Sequence, residues 1–231
     1  MNRTIVVLSH NRPIQDATRE CLGALTRAGA AYLTHYGTAD VALARCYALS
    51  EACNALRMFN EQVAGITPRD TILMVDDDML FSIDQAQALV DRSRETGVAA
   101  SAMYATTMAT VAAARIAGTD RWLTGLGLLA IPAGALLELE RDSESFAVKD
   151  KRYTQFTWSK VDRGAWFSED FTLCQRLGGV YLLPIAVGHL KVLPIYPDDE
   201  TIAAIRENRP IVGDANPEQL KHITQSKAGK S

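Results

Sequence analysis

Between Thr4 and Asp76 the chain alternates short apolar runs with longer amphipathic segments, and that alternation restricts the fold more than any single motif does. Thr4 to Leu8 has the length and β-branched content of a buried strand, and Ala31 to His35 is a plausible second strand. Asp16 to Ala28 places Ala17, Cys21, Leu22 and Leu25 on one helical face, and an Ala/Leu-rich helical pattern runs from Asp40 to about Asn60. After the Gly65 and Pro68 break, a third strand closes at Asp76. Strand, helix, strand, helix, strand predicts an α/β fold with a mostly parallel central sheet, flanked by helices and joined by right-handed crossovers. The pattern continues. Ser82-x-x-Gln85 fits a capping box opening a helix to about Glu95, which Gly97 stops before a strand from Val98 to Met103.

The second half is less regular. Tyr104 to Asp120 is Ala/Thr-rich and ambiguous, and Pro132 can start a short helix reaching about Arg141. Asp142 to Gly164 reads as a long polar loop carrying Tyr153, Phe156 and Trp158, a composition that favours a lid or binding loop. Ser168 can cap a helix that buries Phe171, Cys174 and Leu177 and ends at Gly178-Gly179; a last strand, Val180 to Leu183, precedes Gly188-His189. Beyond Pro197 the chain is proline-punctuated and charged, and from Gln219 it reads as weakly ordered.

With 231 residues, 48% of them hydrophobic, the chain can bury one substantial core. No apolar run reaches the roughly 20 residues of a membrane helix, so the expectation is a cytoplasmic protein with no membrane anchor. A net charge of -3 gives no global electrostatic case for nucleic acid. Cys21, Cys46, Cys53 and Cys174 have neither C-x-x-C nor zinc spacing and read as reduced, packed thiols.

The chemistry concentrates at Asp76-Asp77-Asp78, set between Ile72–Val75 and Met79–Phe81. Three ionised carboxylates at a buried strand end require a compensating cation or solvent, because a buried charge carries a penalty of several kcal/mol. A divalent metal is the natural compensator. On an extended strand Asp76 and Asp78 would point one way and Asp77 the other. In open α/β sheets the ligand crevice lies beyond the carboxyl ends of the strands, where these residues fall.

Other motifs carry less alone. Gly229-Lys230-Ser231 lacks the upstream glycine of a phosphate loop. Gly125-Leu126-Gly127 fits a relaxed dinucleotide fingerprint, but the early Pro132 favours a glycine turn allowing close backbone approach to a ligand. Glu169 and Asp170 follow Trp166-Phe167-Ser168 at a helix start, where the helix dipole favours ionised acids.

Taken in order, the polar loop Ser9-His10-Asn11-Arg12-Pro13, the Asp-x-Asp at a strand end, the Gly-x-Gly segment, Trp-x-x-Glu-Asp and a later Gly-His resemble the GT-A fold glycosyltransferases, over about residues 4 to 190. The resemblance implies one nucleotide-diphospho-sugar transferase domain over residues 1–197, its nucleotide-binding half about 1–103 and its acceptor half about 104–197, with a C-terminal extension over 198–231. It implies Mn2+ or Mg2+ held by Asp76, Asp78 and His189. Ser9, His10, Asn11, Arg12, Arg45, Asp76 and Asp77 would contact the nucleotide-sugar donor. Cys46 stands where many members have asparagine after the arginine. Gly125, Gly127 and Trp166 would face the acceptor, with Asp170 as the general base of an inverting transfer and Glu169 beside it. The acceptor could be a glycan, a protein or a modified nucleic-acid base.

Two other classes compete. A nucleotidyltransferase making nucleotide sugars shares the βαβ start and metal aspartates, but normally has a glycine-rich basic loop after strand one, and Ser9 to Pro13 has no glycine. A non-catalytic nucleotide-sugar binding protein would keep the pocket without the chemistry. A receiver-like acidic pocket would need acids after the first strand, which here ends in Ser9-His10.

Overall fold

The computed structural model describes residues 3–10, 13–36, 40–63, 70–107, 110–162, 165–190, 194–195 and 199–207. The first half runs β1 (Thr4–His10), α1 (Asp16–Arg27), β2 (Ala31–Tyr36), α2 (Val41–Val63), β3 (Thr71–Asp76), the short β4 (Met79–Leu80), α3 (Ile83–Thr96) and β5 (Ala100–Met103). Short hairpin strands follow: β6 (Ala105–Thr107) with β7 (Thr110–Val111), and β8 (Ala113–Arg115) with β9 (Trp122–Thr124). Then come β10 (Leu128–Pro132), α4 (Ala133–Arg141), the hairpin β11 (Ser145–Val148) and β12 (Lys151–Thr154), and the hairpin β13 (Lys160–Asp162) and β14 (Ala165–Phe167). The chain continues through α5 (Glu169–Arg176), β15 (Tyr181–Ala186), β16 (Gly188–Leu190), β17 (Pro194–Ile195) and α6 (Asp199–Arg206).

The expected mixed α/β architecture forms around a six-stranded sheet in the order β15-β5-β10-β3-β1-β2. It is mostly parallel: β1 pairs parallel with β2 and β3, and β15 with β5. The exception is β10, antiparallel to both β3 and β5. Strand alternation builds two cores. Ile5, Val7, Ile72, Met74, Leu129 and Ile131 face the side covered by Leu49, Leu56, Leu136 and Leu173 of α2, α4 and α5. Val6, Leu8, Leu73, Val75, Leu128 and Ala130 face Leu22, Leu25, Leu89 and Val90 of α1 and α3. A strand buried on both faces must be apolar at every position, hence the unbroken run Ile72–Val75. Each such side chain contributes about 1.5–3 kcal/mol on burial.

Local signals act as read. Ser82 Oγ accepts from Gln85 N at 3.2 Å while Gln85 Oε1 accepts from Ser82 N at 2.8 Å, completing the capping box, and Gly97 takes φ 67° at the other end. Ser168 caps α5 through Phe171 N. Three expectations change. The polar stretch 142–164 is not a loop but largely two hairpins, in which Tyr153 is buried against Tyr47, 4.3 Å between ring centres. Beyond residue 197, α6 packs on β15 and adds Ile205 to the core. In α5 the fully buried apolar residues are Leu173 and Cys174, with Phe171 and Leu177 half-exposed. Among the described residues no helix is long and apolar enough to cross a membrane.

Buried Asp70 anchors the opposite end of the sheet. Its carboxylate accepts from Arg3 N at 2.9 Å, Nε at 3.2 Å and a terminal guanidinium nitrogen at 2.7 Å, and its carbonyl accepts from Ala133 N at 2.9 Å. All four cysteines are free; burial pushes the Cys174 thiol up to about 12, which makes it unreactive.

Candidate functional site

Register fixes which residues share the functional edge. Ser9 lies opposite Asp76 in the β1–β3 ladder, and Leu128 opposite Val75 in β10–β3. The carboxyl ends of β1, β3 and β5 therefore meet the start of β10, bringing Ser9, Asp76, Tyr104 and Gly125–Gly127 to one edge. The side chains of Ser9 and His10, and all of Asn11 and Arg12, lie outside what the structure describes.

The three aspartates separate here. Asp76 ends β3, and its N–H donates to Gly127 O at 2.9 Å. Asp77 and Asp78 form the turn into β4, so strand alternation does not govern them. Both are buried, and Asp77 O accepts from Gln15 N at 3.2 Å.

A buried arginine gathers the acids. Arg45, on the first turns of α2 and with a side chain only 3% exposed, donates to Asp76 Oδ2 at 3.1 Å, to Glu169 Oε1 at 3.5 Å and, at short range, to Asp170 Oδ1. Burial alone would favour a neutral guanidinium, but Asp170 and Asp76 outweigh it and hold Arg45 charged. Its Nε is buried with no hydrogen-bond partner. Desolvation pushes the Asp170 carboxyl up to about 6 against the opposing pull of Arg45; Asp76 and Glu169 push the same way as burial. Asp76 is raised too, by burial first, with Arg45 opposing and Asp78 reinforcing. Three carboxylates around one guanidinium leave a local excess of negative charge.

The second cluster depends on a long-range pairing. β4 and β16 pair antiparallel with His189 opposite Met79, and Leu190 N donates to Asp78 O at 2.7 Å. His189 Nε2 consequently sits 3.2 Å from Asp78 Oδ2. Its Nδ1 is 2.9 Å from Ala105 O, a carbonyl that can only accept, so Nδ1 carries a proton and Nε2 is the nitrogen turned to the carboxylate. A carboxylate and an imidazole nitrogen this close are a donor pair that would hold a divalent cation between them. Carbonyl bonding of the remote nitrogen is the usual way a ligand histidine is oriented. Among the described residues no group of three or more His, Cys, Asp or Glu is disposed to hold a metal. Magnesium-type ions commonly take one or two protein ligands and complete the shell with phosphate and water.

Tyr104 joins the clusters and was not singled out by sequence, although its place just past β5 follows the same strand-end rule. Its ring meets His189 edge-on with centres 5.1 Å apart, and its hydroxyl accepts from Gly127 N at 3.2 Å. A Cβ at Gly125 would overlap the Tyr104 hydroxyl, and one at Gly127 would lie 2.6 Å from Met79 Sδ. The close approach these glycines permit is therefore to the protein's own side chains. Trp166 is 68% exposed on β14, opposite Val161 at 67%.

An open cavity of about 660 Å³ adjoins the acids between the start of α2, Phe146 and the 155–159 segment, with Glu169 in its wall.

No family model and no curated protein sequence matches this chain. Among solved structures it is similar to A197 from STIV, at 17% identity over 86% of this chain and 95% of that one, with a TM-score of 0.48. It is also similar to a 4-diphosphocytidyl-2C-methyl-D-erythritol synthase, at 14% identity over 90% and 98% of the two chains, with a TM-score of 0.38.

Proposed function

We propose that this chain is a metal-dependent glycosyltransferase that moves a sugar from a nucleotide-diphosphate donor to an acceptor hydroxyl with inversion, Asp170 being the general base. The observation that carries the reading is the gathering of Asp76, Glu169 and Asp170 on Arg45, with the Asp78–His189 pair directly after Asp76 and Asp77 at the same strand end. The ion, Mn2+ or Mg2+, would be held by Asp78 and His189 with Asp76 close by, the imidazole tilting the choice toward Mn2+, which tolerates nitrogen better. When bound, such an ion neutralises charge on the departing nucleoside diphosphate.

The chain's own groups do the rest. Asp170, ionised above about pH 6 yet more basic than a surface carboxylate, can take the acceptor proton. Arg45 orients it through Oδ1. Glu169, held by Arg45 and by Ser159 Oγ at 3.2 Å, keeps its place on the cavity wall where an acceptor would lie. A panel of nucleotide sugars with and without Mn2+, read by thermal shift, tests the class. The expected result is a metal-dependent rise in Tm for one donor, abolished in Asp78→Ala; indifference to every donor would refute it.

A further inference from the structure

We propose that the cavity beside the start of α2 is the acceptor pocket and that it is built for a neutral saccharide; this rests on the glycosyltransferase reading above. Its position carries the first half. Glu169 lines it, and Asp170, next in sequence, shares Arg45 with Glu169, so the cavity opens one residue away from the candidate base.

Its chemistry carries the second half. The two charged side chains among the described lining residues are both carboxylates, Asp40 and Glu169. Arg45 lies behind Glu169 and is not itself among the lining residues, so the charged groups on the wall are anionic, which opposes a phosphorylated sugar or a nucleic-acid strand. Trp158 and Phe146 supply the flat apolar faces on which sugar rings stack, while Gln155 and Ser159 supply polar groups for hydroxyls. The volume falls within the range of about 300–1,000 Å³ usual for small-molecule sites.

The wall is also preformed. Arg176 donates to Gln155 O at 2.5 Å and Phe156 O at 2.7 Å, with its guanidinium 5.0 Å from the Trp158 ring centre. Phe156 is fully buried, and Thr157 Oγ1 donates to Glu169 O. Tyr47 and Tyr153 back Phe146, with ring centres 6.0 and 6.1 Å from it. A wall fixed this way loses little freedom when ligand binds.

The test uses the full chain, with calorimetry and saturation-transfer NMR. The probes are maltotriose, cellotriose and chitotriose, their 6-phosphorylated counterparts, and a short oligothymidylate. At least one neutral trisaccharide is expected to bind, and its phosphorylated form to bind about tenfold or more weakly. Trp158→Ala should weaken the neutral ligand about tenfold through lost stacking. Leu43→Trp, at a half-exposed rim position where folding is not at stake, should block the cavity while the donor-dependent Tm rise persists. Equal or tighter binding of a phosphorylated sugar or the oligonucleotide would overturn the proposal. So would absence of saccharide binding, or binding that neither variant alters. A chain that binds saccharides but no nucleotide sugar would sink the transferase reading alone, so the two readings fail separately.

Discussion

At the scale of single residues, Arg45 and Asp170 define the problem the site solves. Asp170 titrates higher folded than unfolded, so its contribution to stability is fully present below its ordinary range and is lost as pH rises to about 6. Asp170→Asn should therefore stabilise the protein by about 1–3 kcal/mol at pH 7.5 and flatten the stability profile between about pH 4 and 6, as read by urea titration. The same variant should lower transfer about 10²–10⁴-fold, and the parent kcat/KM should fall as pH drops through about 6. Arg45→Met leaves its carboxylates without a counter-charge and should cost about 3–5 kcal/mol at pH 7.5, less below about pH 6 where Asp170 takes up its proton. His189→Ala should weaken Mn2+ at least about tenfold in a calorimetric titration. Burial cost at a strand end was enough to nominate Asp76 and Asp78, whereas Asp170 and His189 were singled out only by the order of motifs that carries the family resemblance. Sequence could not show that Arg45 joins Asp76 to Asp170, since that contact depends on how α2 lies across the sheet.

At the scale of elements, helices with their own punctuation were legible. The Ser82–Gln85 box and the Gly97 stop are local chemistry, and α3 lies where they put it. Ser82→Ala should cost about 1 kcal/mol in chemical denaturation. What local signals cannot encode is direction. β10 is as apolar as a parallel strand, and nothing within Leu128–Ile131 announces that it runs against β3. The 142–164 stretch misled for a related reason: its strands are short and solvent-facing, so alternation is masked by exposed Lys151 and Arg152. Gly127→Ala, by crowding Met79 and Tyr104, should destabilise by about 1–3 kcal/mol and disturb Asp76, whose N–H bonds to the Gly127 carbonyl.

At the scale of the whole molecule, stability and chemistry occupy opposite ends of one sheet. The Arg3–Asp70 linkage ties the amino ends of β1 and β3, while the acids gather at their carboxyl ends. Asp70→Ala should cost about 3 kcal/mol in unfolding free energy yet leave Mn2+ affinity unchanged, since it lies just before β3, whose far end carries Asp76. The pairing of β4 with β16 has a temporal consequence. Asp78 can meet His189 only after the more than one hundred residues between them have been made, because the contact joins positions of long sequence separation. On the ribosome, a chain released from the exit tunnel only as far as β15 would hold an acidic, half-finished edge without its imidazole. If Asp78 and His189 hold the proposed ion, metal capture in a translation-arrest series would report the arrival of β16 on β4.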